Sequence, residues 1–189
     1  MKTRYILHRK VYKNICISVL MLIGFTVKSQ VNIAGKLGFP EGAKMLIIHA
    51  DDLGVAHSEN IASFKAIENG SVNSASVMMP TPWVMEVANY AKSHADTHDF
   101  GLHLVLSSEW KNYRWGPVSS IDEVPSLINE HGYFHPDCQA EINIKEVETE
   151  LRAQIDRAYA MGLVPTHLDS HMGCLLQSQE LIEVYLKMG

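Results

Sequence analysis

The chain has 189 residues, of which 47% are hydrophobic and 20% are charged, and its formal net charge is −5 at pH 7. This composition is typical of a soluble globular protein, and the length fits one domain of ~100–200 residues. The chain is too short for a complete (β/α)8 barrel, which typically needs ~250 residues. The excess of acidic over basic residues argues against a nucleic-acid partner.

Residues 1–29 are predicted to be a secretory signal peptide. Basic residues, beginning with Lys2, precede an uncharged apolar segment from Ile15 to Val27, as in the n- and h-regions of such peptides. The apolar segment is shorter than the ~20 residues of a membrane-spanning helix. We therefore expect a secreted or periplasmic protein that meets the membrane only through this segment. An uncleaved N-terminal anchor is the alternative.

Strands and helices are predicted to alternate along residues 44–189, after a linker at 30–43 that is rich in glycine. Strands are predicted at 45–52, 72–79 and 100–106, and helices at 58–70, 81–91, 143–162 and 178–188. Trp83 and Tyr159 are expected on the buried faces of their helices. This alternation implies parallel βαβ units and an α/β fold.

The first predicted strand is an apolar run from Met45 to Ile48 that leads to two adjacent carboxylates, Asp51 and Asp52. The carboxyl ends of parallel strands are where open α/β sheets and barrels carry their chemistry. Because two neighbouring like charges repel, we expect one carboxylate to hold a cation while the other moves protons. This strand end is the candidate active site.

Two further segments supply polar residues of the metal-binding type. His103 lies in the third predicted strand and points away from its leucines; a lone histidine there is more often a hydrogen-bonded core residue than a ligand. In an extended segment His167, Asp169 and His171 would share one face, and burying three ionisable groups is costly unless they bind something. Together with Asp51, Asp52 and His103 they predict a metal site, because two histidines and one carboxylate would leave coordination positions open for water and substrate.

Residues 107–139 show no regular periodicity and are expected to form a functional loop or lid. Aromatic rings stack on sugar rings and polar side chains bind hydroxyl groups, so part of this loop is a candidate carbohydrate groove. The candidate substrate-binding residues are Trp110, Tyr113, Arg114 and Trp115. The alternative is a loop pinned to the body by its own tryptophans.

Three segments resemble the signature segments of the YdjC-like carbohydrate deacetylases, the ChbG/HpnK family of the polysaccharide-deacetylase barrels. They are Ile48–Gly54, Gly101–Leu104 and Thr166–His171, and their order and strand placement match. The resemblance implies a distorted (β/α) barrel that hydrolyses the N-acetyl group of an amino sugar in an oligo- or polysaccharide, at a C–N bond that is not a peptide bond. The sugar and the oligomeric state are not specified by these motifs.

The resemblance also implies a role for each site residue. Asp52, His103 and His171 would bind one divalent metal ion, and Asp51 would act as general base toward the attacking water. His167 or Asp169 would protonate the leaving amine or support the metal ligands. Zinc suits the two imidazoles, whereas magnesium or manganese suits a carboxylate with waters. The sequence does not specify which of these metals is bound.

The resemblance covers residues 44–189 and corresponds to about the first half of such a barrel, so a truncated barrel with uncovered edge strands is expected. The chain also continues with Met172 where the family commonly has further histidines. An inactive carbohydrate-binding remnant is therefore the alternative to an active deacetylase.

Two other enzyme classes fit the motifs less well. His167 and Asp169, with a distant histidine, resemble the facial triad of non-haem iron oxygenases, but the alternation of strands and helices argues against their β-sandwich scaffold. The pair of aspartates could also belong to an aspartyl phosphotransferase, but the sequence has no glycine-rich phosphate-binding loop. Finally, Cys138 and Cys174 follow the signal segment, and their spacing alone does not decide whether they pair.

Overall fold

The computed structural model describes residues 33–138 and 141–189. The chain divides into two units, Met1–Leu46 and Ile47–Gly189. In the first unit the described residues form a single helical turn, Ile33–Lys36, within the stretch predicted to be a linker. The predicted signal peptide lies outside the described residues.

In the described residues of the second unit, four strands alternate with four α-helices. The strands are β1 His49–Leu53, β2 Ser74–Val77, β3 Phe100–Leu104 and β4 Leu168–Ser170. The helices are α1 His57–Glu68, α2 Val84–Ser93, α3 Ile144–Ala160 and α4 Gln179–Met188. Two 3-10 segments, Pro125–Leu127 and His171–Leu176, complete the regular structure. The strands pair in the order β1-β2-β3-β4, and every pairing is parallel.

The predicted α/β fold is confirmed, including its unclosed form. Within the described residues the sheet has two edges, β1 and β4, whereas a closed barrel has none. None of the helices in residues 33–138 and 141–189 combines the length and apolar character needed to cross a bilayer.

The hydrophobic core lies between one face of the sheet and the helices. Alternate strand residues on this face are almost completely buried, namely Ala75, Val77, Phe100, Leu102 and Leu104. Helical residues of the same cluster are Phe64, Ile67, Val84, Val87, Val147, Leu151, Leu181 and Val184. Burial of each large aliphatic side chain contributes ~1.5–3 kcal/mol, so this face fixes how the helices cover the sheet.

The opposite face of the sheet is polar, and this positions the site. The parallel register places Ser76 beside Gly101 and His103 beside Asp169. Because side chains alternate along a strand, the polar residues of neighbouring strands then share one face. The residues of this face are His49, Ser74, Ser76, Gly101, His103, His167 and Asp169.

The start of β1 differs from the prediction. The apolar run from Met45 to Ile48 is not a buried strand, because β1 begins at His49 and contains both carboxylates. The side chains of Ile47 and Ile48 are 71% and 47% exposed. β1 is paired only with β2 on one side, so the residues before it have few neighbours to cover them.

Two aromatic residues expected to be buried are exposed instead. Trp83 is 45% exposed and Tyr159 is 54% exposed. Trp83 is the N-cap residue of α2 and Tyr159 lies in the last turn of α3. Helical periodicity is a weak guide at such positions, because a helix end lacks the turn that would continue its buried stripe.

The long loop between β3 and α3 is held by two buried polar side chains of α3. The Gln154 amide binds both the N–H and the C=O of Val105, at 3.0 and 2.8 Å. The Glu150 carboxylate accepts the N–H groups of Val118 and Ser119 at 3.0 and 2.9 Å. Buried backbone groups need such partners, so α3 fixes the position of this loop.

A disulfide joins Cys138, at the end of the same loop, to Cys174. Cys174 belongs to the 3-10 segment that follows β4. The bond therefore ties the loop after β3 to the backbone that carries His171. The sequence left this pairing open.

Candidate metal centre

Asp52 reaches the polar face of the sheet through a β-bulge in β1. Three residue steps on β1, from Ala50 to Leu53, oppose only two steps on β2. Such a bulge breaks the regular alternation of side chains and re-aims one of them. The φ angle of Asp52 is +59°, in the left-handed region that aspartate adopts more readily than most residues.

The two histidines approach Asp52 from the other strands. Nε2 of His103, on β3, lies 3.2 Å from Oδ1 of Asp52, and Nδ1 of His171, just after β4, lies 3.0 Å from the same oxygen. Both imidazoles are almost fully buried, whereas the Asp52 side chain is 38% exposed. The three predicted metal ligands therefore meet at the carboxyl ends of β1, β3 and β4, where both histidines approach the same oxygen of Asp52.

The donor set of this cluster fits one divalent cation. One ligand atom from each residue lies within 4.8 Å of the other two. With bond lengths near 2.0 Å, ligand atoms of a tetrahedral zinc site lie about 3.3 Å apart. The distances from Oδ1 of Asp52 to the two histidine nitrogens, 3.2 and 3.0 Å, are close to this value. Two imidazole nitrogens and one carboxylate oxygen also leave coordination positions for water and substrate.

The electrostatics of the cluster favour a positive charge at its centre. Burial works against ionisation of Asp52, but hydrogen bonds and charge from His103 and His171 outweigh it and hold the pKa of Asp52 well below its ordinary value. Burial likewise works against protonation of His103, but Asp169 and Asp52 outweigh it and raise the pKa of His103 to about 9. A bound cation would replace the protons that these rings attract.

Asp169 holds His103 from the side away from Asp52. Its Oδ1 accepts a hydrogen bond from Nδ1 of His103 at 2.5 Å. Its Oδ2 accepts from the Ser76 hydroxyl at 3.0 Å and lies 3.2 Å from Nε2 of His49. Burial opposes ionisation of Asp169, yet the hydrogen bond from His103 outweighs it and lowers the pKa of Asp169. This carboxylate directs the Nε2 lone pair of His103 toward the cluster.

Glu109 holds His171 in the same way. Oε2 of Glu109 lies 3.1 Å from Nε2 of His171, while Nδ1 of that ring faces Asp52. The indole of Trp115 lies edge-on to the same ring, with centroids 6.1 Å apart. Both imidazoles of the cluster are therefore oriented by a carboxylate on the far nitrogen.

Asp51 and His167 lie apart from these contacts. Asp51 is exposed, and within the described residues no hydrogen bond or ion pair joins it to the cluster. His167 is on the polar face but binds the Thr166 hydroxyl through Nδ1 at 2.9 Å and lies edge-on to His49, with ring centroids 5.3 Å apart. His167 contacts none of the three candidate metal ligands.

The four predicted substrate-binding residues divide into two groups. Three of them hold the loop in place: Trp115 donates to the Ser107 carbonyl, Arg114 to the Ser108 carbonyl, and Tyr113 to the Val55 carbonyl. The fourth, Trp110, is 44% exposed and packs against the rings of Tyr113 and Trp115. The loop is thus pinned by its own aromatics while one indole faces solvent.

Sequence reasoning missed three polar residues of the site. His49 lies two residues before Asp51 on β1. Because side chains alternate along a strand, this spacing was the available signal that His49 lies on the polar face. Glu109 lies in an aperiodic loop, which gives no directional signal. Glu59, on α1, has a buried Oε2 that has no hydrogen-bond partner in the described part of the chain. Burial first, and then the charges of Asp52 and Asp51, raise the pKa of Glu59 to about 7.

The chain is similar to a family of known proteins. The model of the YdjC-like protein family matches residues 45–189. A carbohydrate deacetylase of Thermus thermophilus is 39% identical over 151 residues, which are 78% of this chain and 51% of that protein. A chitooligosaccharide deacetylase of Serratia marcescens is 29% identical over 150 residues, 75% of this chain and 55% of the relative.

A solved structure has the same fold. It is a protein of Enterococcus faecalis described as a putative cellobiose-phosphate cleavage protein, with a TM-score of 0.68 and 31% sequence identity. The similarity covers 75% of this chain and 54% of that one. The chain thus spans about half the length of the relatives it matches. By the match over residues 45–189, the chain belongs to the YdjC-like protein family.

Proposed function

We propose that this chain carries the metal-binding half of a carbohydrate deacetylase, a hydrolase that removes N-acetyl groups from amino sugars in oligo- or polysaccharides. The observation that carries the proposal is the convergence of Asp52, His103 and His171 at one edge of the sheet. The relatives named carbohydrate and chitooligosaccharide deacetylases support the substrate class.

Asp52, His103 and His171 would hold one divalent ion, zinc or magnesium. When bound there, such an ion polarises the acetyl carbonyl and lowers the pKa of a water molecule. The chain's own contribution is to fix the two histidine ligands: Asp169 holds His103 and Glu109 holds His171. Rigid ligands reduce the reorganisation that the reaction requires.

Asp51 would act as general base. Its carboxylate is exposed and adjoins Asp52 in the chain, so it is free to accept the proton of an attacking water. Asp169 is less suited to protonate the leaving amine, because its two oxygens already accept hydrogen bonds from His103 and Ser76. We therefore assign Asp169 a positioning role.

Trp110 would provide a stacking surface for a sugar ring. Its indole is exposed, and it packs on Tyr113 and Trp115, the second of which touches His171. These ring contacts lead from the exposed indole to His171, one of the three candidate metal ligands. Aromatic faces of this kind bind the apolar faces of sugars.

Export of the protein is also part of the proposal. The N-terminal segment has the features of a signal peptide, and the Cys138–Cys174 disulfide suits an oxidising compartment. N-terminal sequencing of the protein recovered from the periplasm or medium tests this. A retained Met1 in the cytoplasmic fraction would contradict it.

Activity is tested by acetate release from N-acetylated chito-oligosaccharides, with the metal content measured on the same samples. Asp52→Ala should lose both the bound metal and acetate release, whereas Asp51→Asn should keep the metal and lose acetate release. Equal turnover of Asp51→Asn and wild type would remove the general-base assignment.

An inactive carbohydrate-binding remnant is the second candidate. It is favoured by the sheet of the described residues, which is open at β1 and β4, and by the exposed indole of Trp110. Metal and oligosaccharide binding without acetate release would select this candidate over the enzyme.

A further inference from the structure

Trp83 exposes a large apolar ring next to the candidate metal centre. It precedes α2, and its side chain is 45% exposed, whereas the next residue, Val84, is buried in the core. The backbone N–H of Trp83 donates to the carbonyl of Gly54 at 3.0 Å. Gly54 follows Asp52 by two residues, so the backbone of Trp83 is hydrogen-bonded to the loop that begins after Asp52.

The loop beneath Trp83 is tightly packed. Gly54 has a φ of +98°, and a Cβ at this position would lie 2.8 Å from Oγ1 of Thr81 and 3.3 Å from Cα of Val84. The loop therefore has no room to shift toward α2. Trp83 is held in place by this packing although its ring contributes little to the core.

Two hydrogen-bonding side chains accompany the exposed indole. The ring of His57 lies 5.2 Å from the indole of Trp83 and is tilted by 39° to it. Nδ1 of His57 lies 2.7 Å from Oε1 of Glu86. The two side chains are 55% and 27% exposed. Nε2 of His57 can therefore bind an external ligand, and each carboxylate oxygen of Glu86, which already accepts one hydrogen bond, can accept a second.

A buried asparagine, Asn60, links Glu86 to the loop that begins after Asp52. Nδ2 of Asn60 donates to Oε2 of Glu86 at 2.7 Å, and Oδ1 of Asn60 accepts from the Gly54 N–H at 2.7 Å. Asn60 is fully buried. The carboxylate of Glu86 is thus fixed relative to the strand end that carries Asp52.

We propose that Trp83, His57 and Glu86 form a second sugar subsite, on the β1–β2 side of the metal cluster. The inference rests on the proposed deacetylase function and adds to it. One face of a pyranose ring would stack on the indole, while the imidazole and carboxylate would bind its hydroxyl groups. A single exposed ring with two polar neighbours suits a sugar better than a protein, whose stable interfaces bury ~1,200–2,000 Å².

The position of this subsite defines the class of substrate. Tyr113, which packs on Trp110, donates to the carbonyl of Val55, and Trp83 donates to the carbonyl of Gly54, so both indoles adjoin the loop that follows β1. A sugar ring on Trp83 and a reacting sugar at Asp52 would be different units of one ligand. A substrate that fills both this subsite and the reaction site is therefore an oligosaccharide of at least two amino-sugar units.

The binding test uses the full chain after removal of metal by chelation, with the trisaccharide of N-acetylglucosamine as the probe and calorimetry or tryptophan fluorescence as the readout. Trp83→Ala should weaken binding about tenfold, Trp83→Tyr should restore most of it, and Met85→Ala should leave it unchanged. Met85 is the matched control because it is a neighbouring residue of α2 and is 53% exposed. Equal binding by Trp83→Ala and wild type would overturn the subsite.

The kinetic test separates the subsite from the catalytic proposal. With metal present, Trp83→Ala should lower kcat/KM for the trisaccharide about tenfold more than for monomeric N-acetylglucosamine, mainly through KM. An equal loss for both substrates would overturn the subsite. Binding that depends on Trp83 in a protein that releases no acetate would retain the subsite and reject the deacetylase function.

Discussion

The Oε2 atom of Glu109 lies 3.1 Å from Nε2 of His171, on the opposite side of the ring from Nδ1, which contacts Asp52. Asp169 has the same relationship to His103, through Nδ1 of that ring. Each imidazole in the cluster is therefore held in one orientation by its own carboxylate. In metal sites such partners fix the tautomer of the histidine and raise its basicity.

Replacement of Glu109 should weaken metal binding. Glu109→Ala leaves Nε2 of His171 without its carboxylate, so the affinity for a divalent cation should fall about 10- to 100-fold. Glu109→Gln keeps an acceptor oxygen and should lose less. Glu130→Ala is the control, since the side chain of Glu130 is 86% exposed. Calorimetric titration with zinc measures all four proteins, and unchanged affinity in Glu109→Ala would contradict the assignment.

The ring of His167 should leave room only for glycine at residue 101. A Cβ at residue 101 would lie 2.5 Å from that ring, so Gly101→Ala should lower the free energy of unfolding by about 1–3 kcal/mol. In a His167→Ala background the clash is absent, and the same substitution should cost less than half as much. Urea unfolding of the two single variants and the double variant gives the coupling energy. Equal costs in both backgrounds would show that His167 is not the obstacle.

Glu59 should make the stability of the metal-free protein depend on pH. Folding raises the pKa of Glu59 from 4.5 to about 7, so the folded state favours the neutral carboxyl. The free energy of unfolding should therefore fall as pH rises from 4.5 through 7. Glu59→Gln removes this effect: it should match wild type near pH 4 and exceed it by about 1–2 kcal/mol at pH 8, allowing for the partial exposure of the group.

The measurement for Glu59 is urea unfolding in chelator across this pH range. Glu130→Gln serves as the matched control, because a substitution at so exposed a site changes stability by about 0.5 kcal/mol or less. A difference between Glu59→Gln and wild type that does not grow with pH would contradict the prediction.

The disulfide should be a large part of the protein's stability. Cys138 and Cys174 are 36 residues apart, and a crosslink that closes a loop of this length contributes about 4 kcal/mol through the entropy of the unfolded chain. The variant with both cysteines changed to serine should lose about this amount in urea unfolding, and reduced wild type should behave like it. Two free thiols in the oxidised, folded protein would contradict the pairing.

Much of the fold follows from local sequence patterns. The helices predicted at 143–162 and 178–188 are confirmed as α3 and α4. Asn143 and Ser178 cap them, with side-chain oxygens that accept the N–H groups of Lys145 and Leu181 at 3.0 and 3.2 Å. Caps and helical periodicity involve residues only a few positions apart, so one sequence is enough to find them. The same patterns misplaced Trp83, because periodicity does not specify where the apolar face of a helix ends.

The sequence by itself determined the α/β class, the order of the elements, the position of Asp52 near the end of the first strand and that of His103 within the third. It could not determine which atoms these side chains present to one another. The bulge that turns Asp52, the carboxylates behind His103 and His171 and the indole left exposed at Trp83 were decided by the tertiary structure. Each depends on strand register or on packing between residues distant in the chain, such as Asp169 and His103, and no local pattern encodes those distances.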